Sequence, residues 1–489
     1  METFTSNTKA SFENELHGWI SQEKAAVELI NIISTMWYDR SVELVIFRNI
    51  LYNRGTVEIL GLHLYADKVM HLPISIFDTL EVCRALFKTE LSPSRIDIGR
   101  LTAEWTKEKG NFTSIEDFIH GKIGFIIGKE KRVLVPKDVV LYGFGRIGRL
   151  AARELIAQAG KGEQLRLRAI VTRSNTDSDI IKRAALMRTD SVHGPFHGTI
   201  IEDLANKALI INGHTVQMIA ANNPEDIDYE SYGISNALII DNTGVLRDRE
   251  GLGRHLKSKG ANKVLLTAPG KGNIPNIVHG VNQEKFDIHN EQIFSAASCT
   301  TNAIIPPLKV MHEKFGIIKG HIETIHSYTN DQNLLDNFHK KERRGRSAAL
   351  NMVLTETGAN SAITKVLPEL AGKFTANAVR VPTPNVSLAI LNLSLTRETS
   401  VQEVNEALRE AALNGDLVEQ LQYSTDKELV STDLIGNSCA SIIDSPNTIL
   451  SEDKRSVVIY AWYDNEYGYT RQVIRLAKHL ADVVRLRYY

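Results

Sequence analysis

Cys299 lies in the stretch Ala297-Ser298-Cys299-Thr300-Thr301-Asn302, where an apolar, strand-like run from Ile293 to Ala297 gives way to a helical spacing of Ile304, Ile305, Leu308 and Met311. A thiol at that junction stands at a helix N-terminus, where unpaired backbone N–H groups and the positive end of the dipole favour the thiolate. By itself a cysteine among small residues is equally well explained as a buried small hydrophobe. His326 shifts the balance. It falls in the alternating run Gly320 to Tyr328, a strand pattern that can bring an imidazole to the thiol and take its proton. Together they spell covalent attack on a carbonyl carbon.

The elements needed to position such a pair are legible upstream. Asp138 to Tyr142 is a short apolar strand that runs directly into Gly143-Phe144-Gly145-Arg146-Ile147-Gly148 and then into a helical segment from Arg149. The first glycine permits the tight turn, the second lets backbone approach a pyrophosphate, and the third lets helix and strand pack closely. The helix N-terminus then faces the phosphates. The second strand, Leu165 to Thr172, should end in an acidic residue for the adenosine ribose of NAD, yet the position falls on Arg173. An arginine pairs with a 2′-phosphate, which implies NADP acceptance. The other reading is a solvated Arg173, with Asp177 or Asp179 holding the ribose. Strands alternate with helices through Ala237 to Gly244 and Lys263 to Pro269, as a parallel doubly wound sheet requires.

Four motifs, Ser298-Cys299-Thr300-Thr301-Asn302, His326-Ser327-Tyr328-Thr329-Asn330-Asp331-Gln332, Arg380-Val381-Pro382-Thr383-Pro384-Asn385-Val386-Ser387 and Trp462-Tyr463-Asp464-Asn465-Glu466, resemble phosphorylating glyceraldehyde-3-phosphate dehydrogenase in the family's order. The resemblance covers about Lys137 to Tyr489. It implies a Rossmann domain over 137–298, an α+β catalytic domain with a mixed or antiparallel sheet over 299–465, and a C-terminal helix, 466–489, packing back on the first. It implies oxidation of glyceraldehyde 3-phosphate with NAD or NADP and inorganic phosphate, no metal, and a homotetramer. Carried over by position, Cys299 is the nucleophile and His326 the base. Gly143 to Gly148, Asn242, Thr243, Gly244, Asn465 and Tyr469 contact the cofactor. Thr329 and Arg380 hold the substrate phosphate, and Ser298, Thr300, Thr357, Gly358 and Arg346 the attacking one. Three positions depart from the family: Tyr142 replaces an asparagine, Ala303 replaces a second cysteine, and Pro307 is additional and should disturb the helix one turn in. Erythrose 4-phosphate is an alternative substrate.

Before this region, 1–136 reads as a mainly helical extension. Val27, Ile30, Ile33 and Trp37 recur at helical steps, and Val42 to Tyr52 and Phe77 to Phe87 read similarly. Ser400 with Glu403 makes a capping box, and a helix from Arg471 to Arg485 closes the chain. The extension motivates a reading of another class, a redox sensor or scaffold acting through these helices. The 57 basic residues nearly match the 58 acidic ones, so a nucleic-acid partner is unsupported. Three scattered cysteines suit a reducing compartment. Neither a leader pattern at Met1 to Glu15 nor an apolar run of membrane length is present, so the expectation is a cytoplasmic protein with no membrane partner.

Overall fold

Strands buried on both faces read as unbroken apolar runs, because helices cover both sides of a parallel sheet. Ala237–Asp241 is such a strand, fully buried along its length. The computed structural model describes residues 2–68, 72–128 and 131–489, with side chains from residue 12 onward except at residue 68; the reading of the first eleven side chains lies outside the described residues. The chain divides into two compact units. One comprises Pro136–Ala159 with Gln164–Val483, the other Met1–Val135 with Gly160–Glu163 and Val484–Tyr489.

The larger unit carries two eight-stranded sheets. In the first, Lys137–Tyr142 lies between Leu165–Thr172 and Ala237–Asp241, all parallel. The chain steps to one side through Leu165–Thr172 and His214–Ala220, then returns to the other through Ala237–Asp241, Ala261–Leu266 and Ile293–Ser295. The ends of Lys137–Tyr142 and Ala237–Asp241 thus flank the point where strand order reverses, which in such sheets is the ligand crevice. The helices Arg146–Ala157 and Tyr467–Leu480 cover one face, joined by Arg471 and Tyr467, which both bond Glu154.

The second sheet is mixed. Ile317–Ser327 pairs parallel with Phe374–Val381 and antiparallel with Ser387–Leu395, which pairs in turn with Ser456–Tyr463. The helix Cys299–Phe315 lies on this sheet and buries Ile304, Ile305, Leu308 and Met311. It runs unbroken through Pro306 and Pro307, contrary to the expected disturbance. Each proline removes a ladder donor, but nearly every side chain from Thr300 to Met311 is buried, and that packing offsets the lost bonds. Ser400 caps the helix Val401–Leu413 through the Glu403 N–H. The expected box is only half formed, because the Glu403 carboxylate accepts from Arg397 and Thr399 instead.

The smaller unit contains the helices Glu2–Arg40, Thr56–Lys68, Ile76–Lys88, Ile98–Glu108 and Ile115–Ile123 and also a four-stranded sheet. Val42 to Tyr52 is a hairpin and not a helix: Val42–Ile46 turns back into Asn49–Ile50 and is buried at every position. A strand buried on both faces has no two-residue alternation, so periodicity cannot tell it from a helix. In the first helix the buried stripe is Ala26, Leu29, Ile33, Met36 and Trp37, while Val27 faces solvent. The last helix of the chain ends at Leu480, with Asp482 in the left-handed region. Leu486–Tyr488 then pairs in parallel with Ser94–Asp97, so the expected closing helix to Arg485 gives way to a strand of this unit.

Candidate active site

Ser298 caps the helix that starts at Cys299, accepting from the Thr301 N–H at 3.0 Å. Ala297, just before it, has φ 56°. The turn is held from two sides. Asn302 donates to the Ala296 and Ser298 carbonyls at 2.8 and 2.9 Å, and the buried Tyr469 hydroxyl donates to the Ala297 carbonyl at 3.0 Å. Cys299 is therefore fixed at the first position of the helix, where the dipole acts most strongly.

The strand Ile317–Ser327 places His326 Nε2 3.6 Å from Cys299 Sγ. The Ser327 carbonyl lies 2.7 Å from His326 Nδ1, which assigns the proton to Nδ1 and leaves Nε2 as an acceptor facing the thiol. Arg380 donates to the same carbonyl at 2.9 Å, and its Nη1 also lies 2.7 Å from Nδ1. Two hydrogens cannot share that short gap. The carbonyl serves both donors, so the guanidinium acts on the ring as a neighbouring charge. Burial, and then Arg380, hold the imidazole down at about 3. Cys299 keeps some accessible surface, yet enough protein surrounds the sulfur that burial pushes the thiol up, with Arg380 pulling the other way. Neither group ionises readily alone; moving the proton from Sγ to Nε2 creates both charges side by side, where they stabilise each other.

Of the groups expected to bind phosphate, Thr300 adjoins Cys299 and Arg380 adjoins His326. Thr300 Oγ1 is 3.0 Å from the Tyr463 hydroxyl, and Tyr463 lies edge-on to the His326 ring. Gly358 caps the helix Ala359–Val366 without a side-chain bond, and Thr357 Oγ1 accepts from the Ala359 N–H at 3.3 Å. Thr329 is partly buried just past the His326 strand. Arg346, expected here, is instead 65% exposed and pairs with Asp336 at 2.9 Å. Arg344 takes the inner position: it is largely buried, bonds Asp331 and the Thr355 hydroxyl, and its charge acts on His326. Arg344 lies in the short turn Glu342–Gly345 and Arg346 follows it, and the turn packs closely: a Cβ on Gly345 would lie 2.4 Å from the Asn337 carbonyl. The residue before that glycine turns inward. The position carried over from the resemblance could not reveal this.

The glycine-rich turn opens on a cavity of about 460 Å³ lined by Gly143, Phe144, Gly145, Thr243, Arg173 and neighbours. Gly143 has φ 95°, and a Cβ at Gly148 would lie 2.4 Å from the Gly143 carbonyl, so turn and helix pack as the spacing requires. A Cβ at Gly145 would meet nothing within 4 Å, leaving backbone open to a ligand. Asn242 Oδ1 is buried without a hydrogen-bond partner. These features fit a nicotinamide nucleotide. The Arg146 side chain turns away to Glu466 and Asp190, so only its backbone remains for phosphate. Ile147 packs into the core, Gly244 has φ 62°, and Asn465 Oδ1 accepts from Ser387 at 2.9 Å. Sequence reasoning missed Arg344, Tyr463 and the cavity-lining Arg183; the two arginines could have been flagged only by charge.

The doubly wound sheet, its glycine turn and the cavity beside that turn are those of a nicotinamide-nucleotide-dependent oxidoreductase, and Cys299 and His326 stand side by side in the same unit. Residues 137–249 match the NAD-binding domain of glyceraldehyde 3-phosphate dehydrogenase, and residues 298–465 match its C-terminal domain. The chain is 42% identical over 339 residues to glyceraldehyde-3-phosphate dehydrogenase of Priestia megaterium, covering 69% of this chain and 96% of the relative. It is 43% identical over 345 residues to the chloroplastic enzyme A of Zea mays, covering 70% and 82%. A glyceraldehyde-3-phosphate dehydrogenase-like protein of Pseudomonas aeruginosa is 49% identical over 458 residues, 93% of this chain and 98% of that one, so the match extends into the N-terminal unit. The chain belongs to the glyceraldehyde-3-phosphate dehydrogenase family.

Proposed function

We propose that the protein oxidises glyceraldehyde 3-phosphate to an acyl phosphate, using inorganic phosphate, as a glycolytic or gluconeogenic enzyme. The observation that carries this is the 3.6 Å approach of His326 Nε2 to a thiol at a helix N-terminus, with Arg380 alongside. His326 takes the proton from Cys299 as sulfur attacks the aldehyde carbon, forming a thiohemiacetal. The developing oxyanion is stabilised by the imidazolium and the Cys299 backbone N–H. A bound nicotinamide nucleotide supplies the hydride acceptor that turns this adduct into a thioester. Asn465 orients the carboxamide, and Tyr469 keeps the Cys299 turn in place. Inorganic phosphate, held by Ser298, Thr300, Thr357, Gly358 and Arg344, then attacks the thioester and releases Cys299.

Thr329 and Arg380 hold the substrate's own phosphate. Its dianion neutralises the guanidinium that otherwise disfavours a proton on His326, so substrate binding makes the base stronger. Arg173 supports use of NADP as well as NAD. Leu334, Leu335, Phe338, Leu350 and Met352 are each exposed to 73% or more, an apolar surface that suits the family's homotetramer. Initial rates with glyceraldehyde 3-phosphate, with and without inorganic phosphate, test the reading. Turnover should require phosphate or arsenate; equal rates without either would replace it with hydrolytic oxidation.

A further inference from the structure

We infer that Arg173 and Arg183 form a binding site for the 2′-phosphate of an adenine dinucleotide. This rests on reading the cavity as the adenosine end of the cofactor site. Arg173 follows the last residue of Leu165–Thr172, and Arg183 projects from the helix Asp177–Arg188; both line the one cavity. Neither forms an ion pair or hydrogen bond among the described residues, and Arg183 Nε is buried with no partner. A third arginine of the lining, Arg254, is already neutralised by Glu225 at 2.8 Å and bonds Asn223.

The carboxylates that could serve a free ribose hydroxyl are committed elsewhere. Asp177 pairs with Lys207 at 2.6 Å. Asp179 accepts from the Ser174 and Thr176 hydroxyls at 2.5 and 2.7 Å, and neither aspartate lines the cavity. An acceptor for the 2′-hydroxyl is therefore missing from the cavity lining, and two arginines without an ion pair stand in its place, Arg183 meeting Asp179 only as a nearby charge. The cavity lining carries these two guanidinium groups and no aspartate or glutamate. A phosphate ester supplies the negative charge and accepts their forked N–H bonds.

Titration calorimetry of the full chain with adenosine 2′,5′-bisphosphate and with adenosine 5′-monophosphate separates the inference from the reading beneath it. The bisphosphate should bind about tenfold tighter or more, the scale of one charge-assisted interaction. The ratio should fall with added salt. It should drop to within about twofold in Arg183→Ala and in Arg173→Ala, while Lys at either position retains part of it. Equal binding of the two nucleotides, or a ratio unchanged in Arg183→Ala, overturns the inference and leaves the cofactor site standing. Failure of both nucleotides to bind overturns both.

Discussion

Arg485 in the smaller unit is buried and Arg380 in the larger is half-buried, and the two guanidinium groups are wired differently. Arg485 lies 3.6 Å from Glu43 and 4.6 Å from the Trp37 ring, and Glu43 also meets Arg95 at 3.5 Å. Arg485 thus faces a carboxylate, and the group holds the chain's last strand to its sheet. Arg380 bonds a carbonyl and stands by an imidazole, and among the described residues no carboxylate is bonded to it. Removing the anion from a buried ion pair is costly, whereas Arg380 keeps its charge available to an incoming anion.

That contrast can be broken at several points. Cys299→Ser should cause the largest loss, at least about 10³-fold in kcat, because an alcohol ionises far less than a thiol near neutral pH. Wild-type-like turnover would remove the nucleophile from the account. His326→Asn should cost about 10²- to 10⁴-fold and move the pH profile of Cys299 alkylation upward, since burial then pushes the thiol up with nothing to take its proton. An unshifted profile would mean that the imidazole does not activate the sulfur. The same variant tests a stability effect. Between its ordinary value of 6.5 and about 3, His326 binds a proton in the unfolded chain and not in the native one, so stability rises with pH across that window. His326→Asn should flatten that rise in denaturant titrations.

In the smaller unit, Glu43→Ala leaves Arg95 and Arg485 buried beside a lost anion and should cost about 3 kcal/mol in unfolding free energy. The kcat of the folded protein should stay unchanged; a matching loss of kcat would blur the distinction drawn here. Arg344→Ala should raise the KM for inorganic phosphate by about 10- to 100-fold, and Arg346→Ala by less than about twofold. The reverse order would restore the position counted from the sequence.

Local chemistry made the site legible. Gly143, Gly145 and Gly148 span one strand-to-helix turn, Cys299 begins one helix, and His326 lies at the end of one strand, so each proposed role follows from a few neighbouring residues. The features that sequence reasoning misplaced depend on distant packing. Val42–Ile46 carries no alternation because both faces are covered. Gly160–Glu163 lies between two elements of the larger unit but belongs to the smaller one, where Glu163 accepts from Ser41. Leu486–Tyr488 finds its partner strand almost four hundred positions earlier in the chain. Pro307 was weighed by its lost hydrogen bond, without the burial that compensates it.

The most direct test of the Cys299–His326 couple is a single-turnover experiment without inorganic phosphate, followed by intact-mass and peptide analysis. Mixing with glyceraldehyde 3-phosphate and a nicotinamide nucleotide should reduce about one equivalent of nucleotide per active site and leave the acyl group on Cys299, and added phosphate should release it and restore turnover. Continuous reduction without phosphate, or an unmodified Cys299 after the burst, would contradict the thioester mechanism.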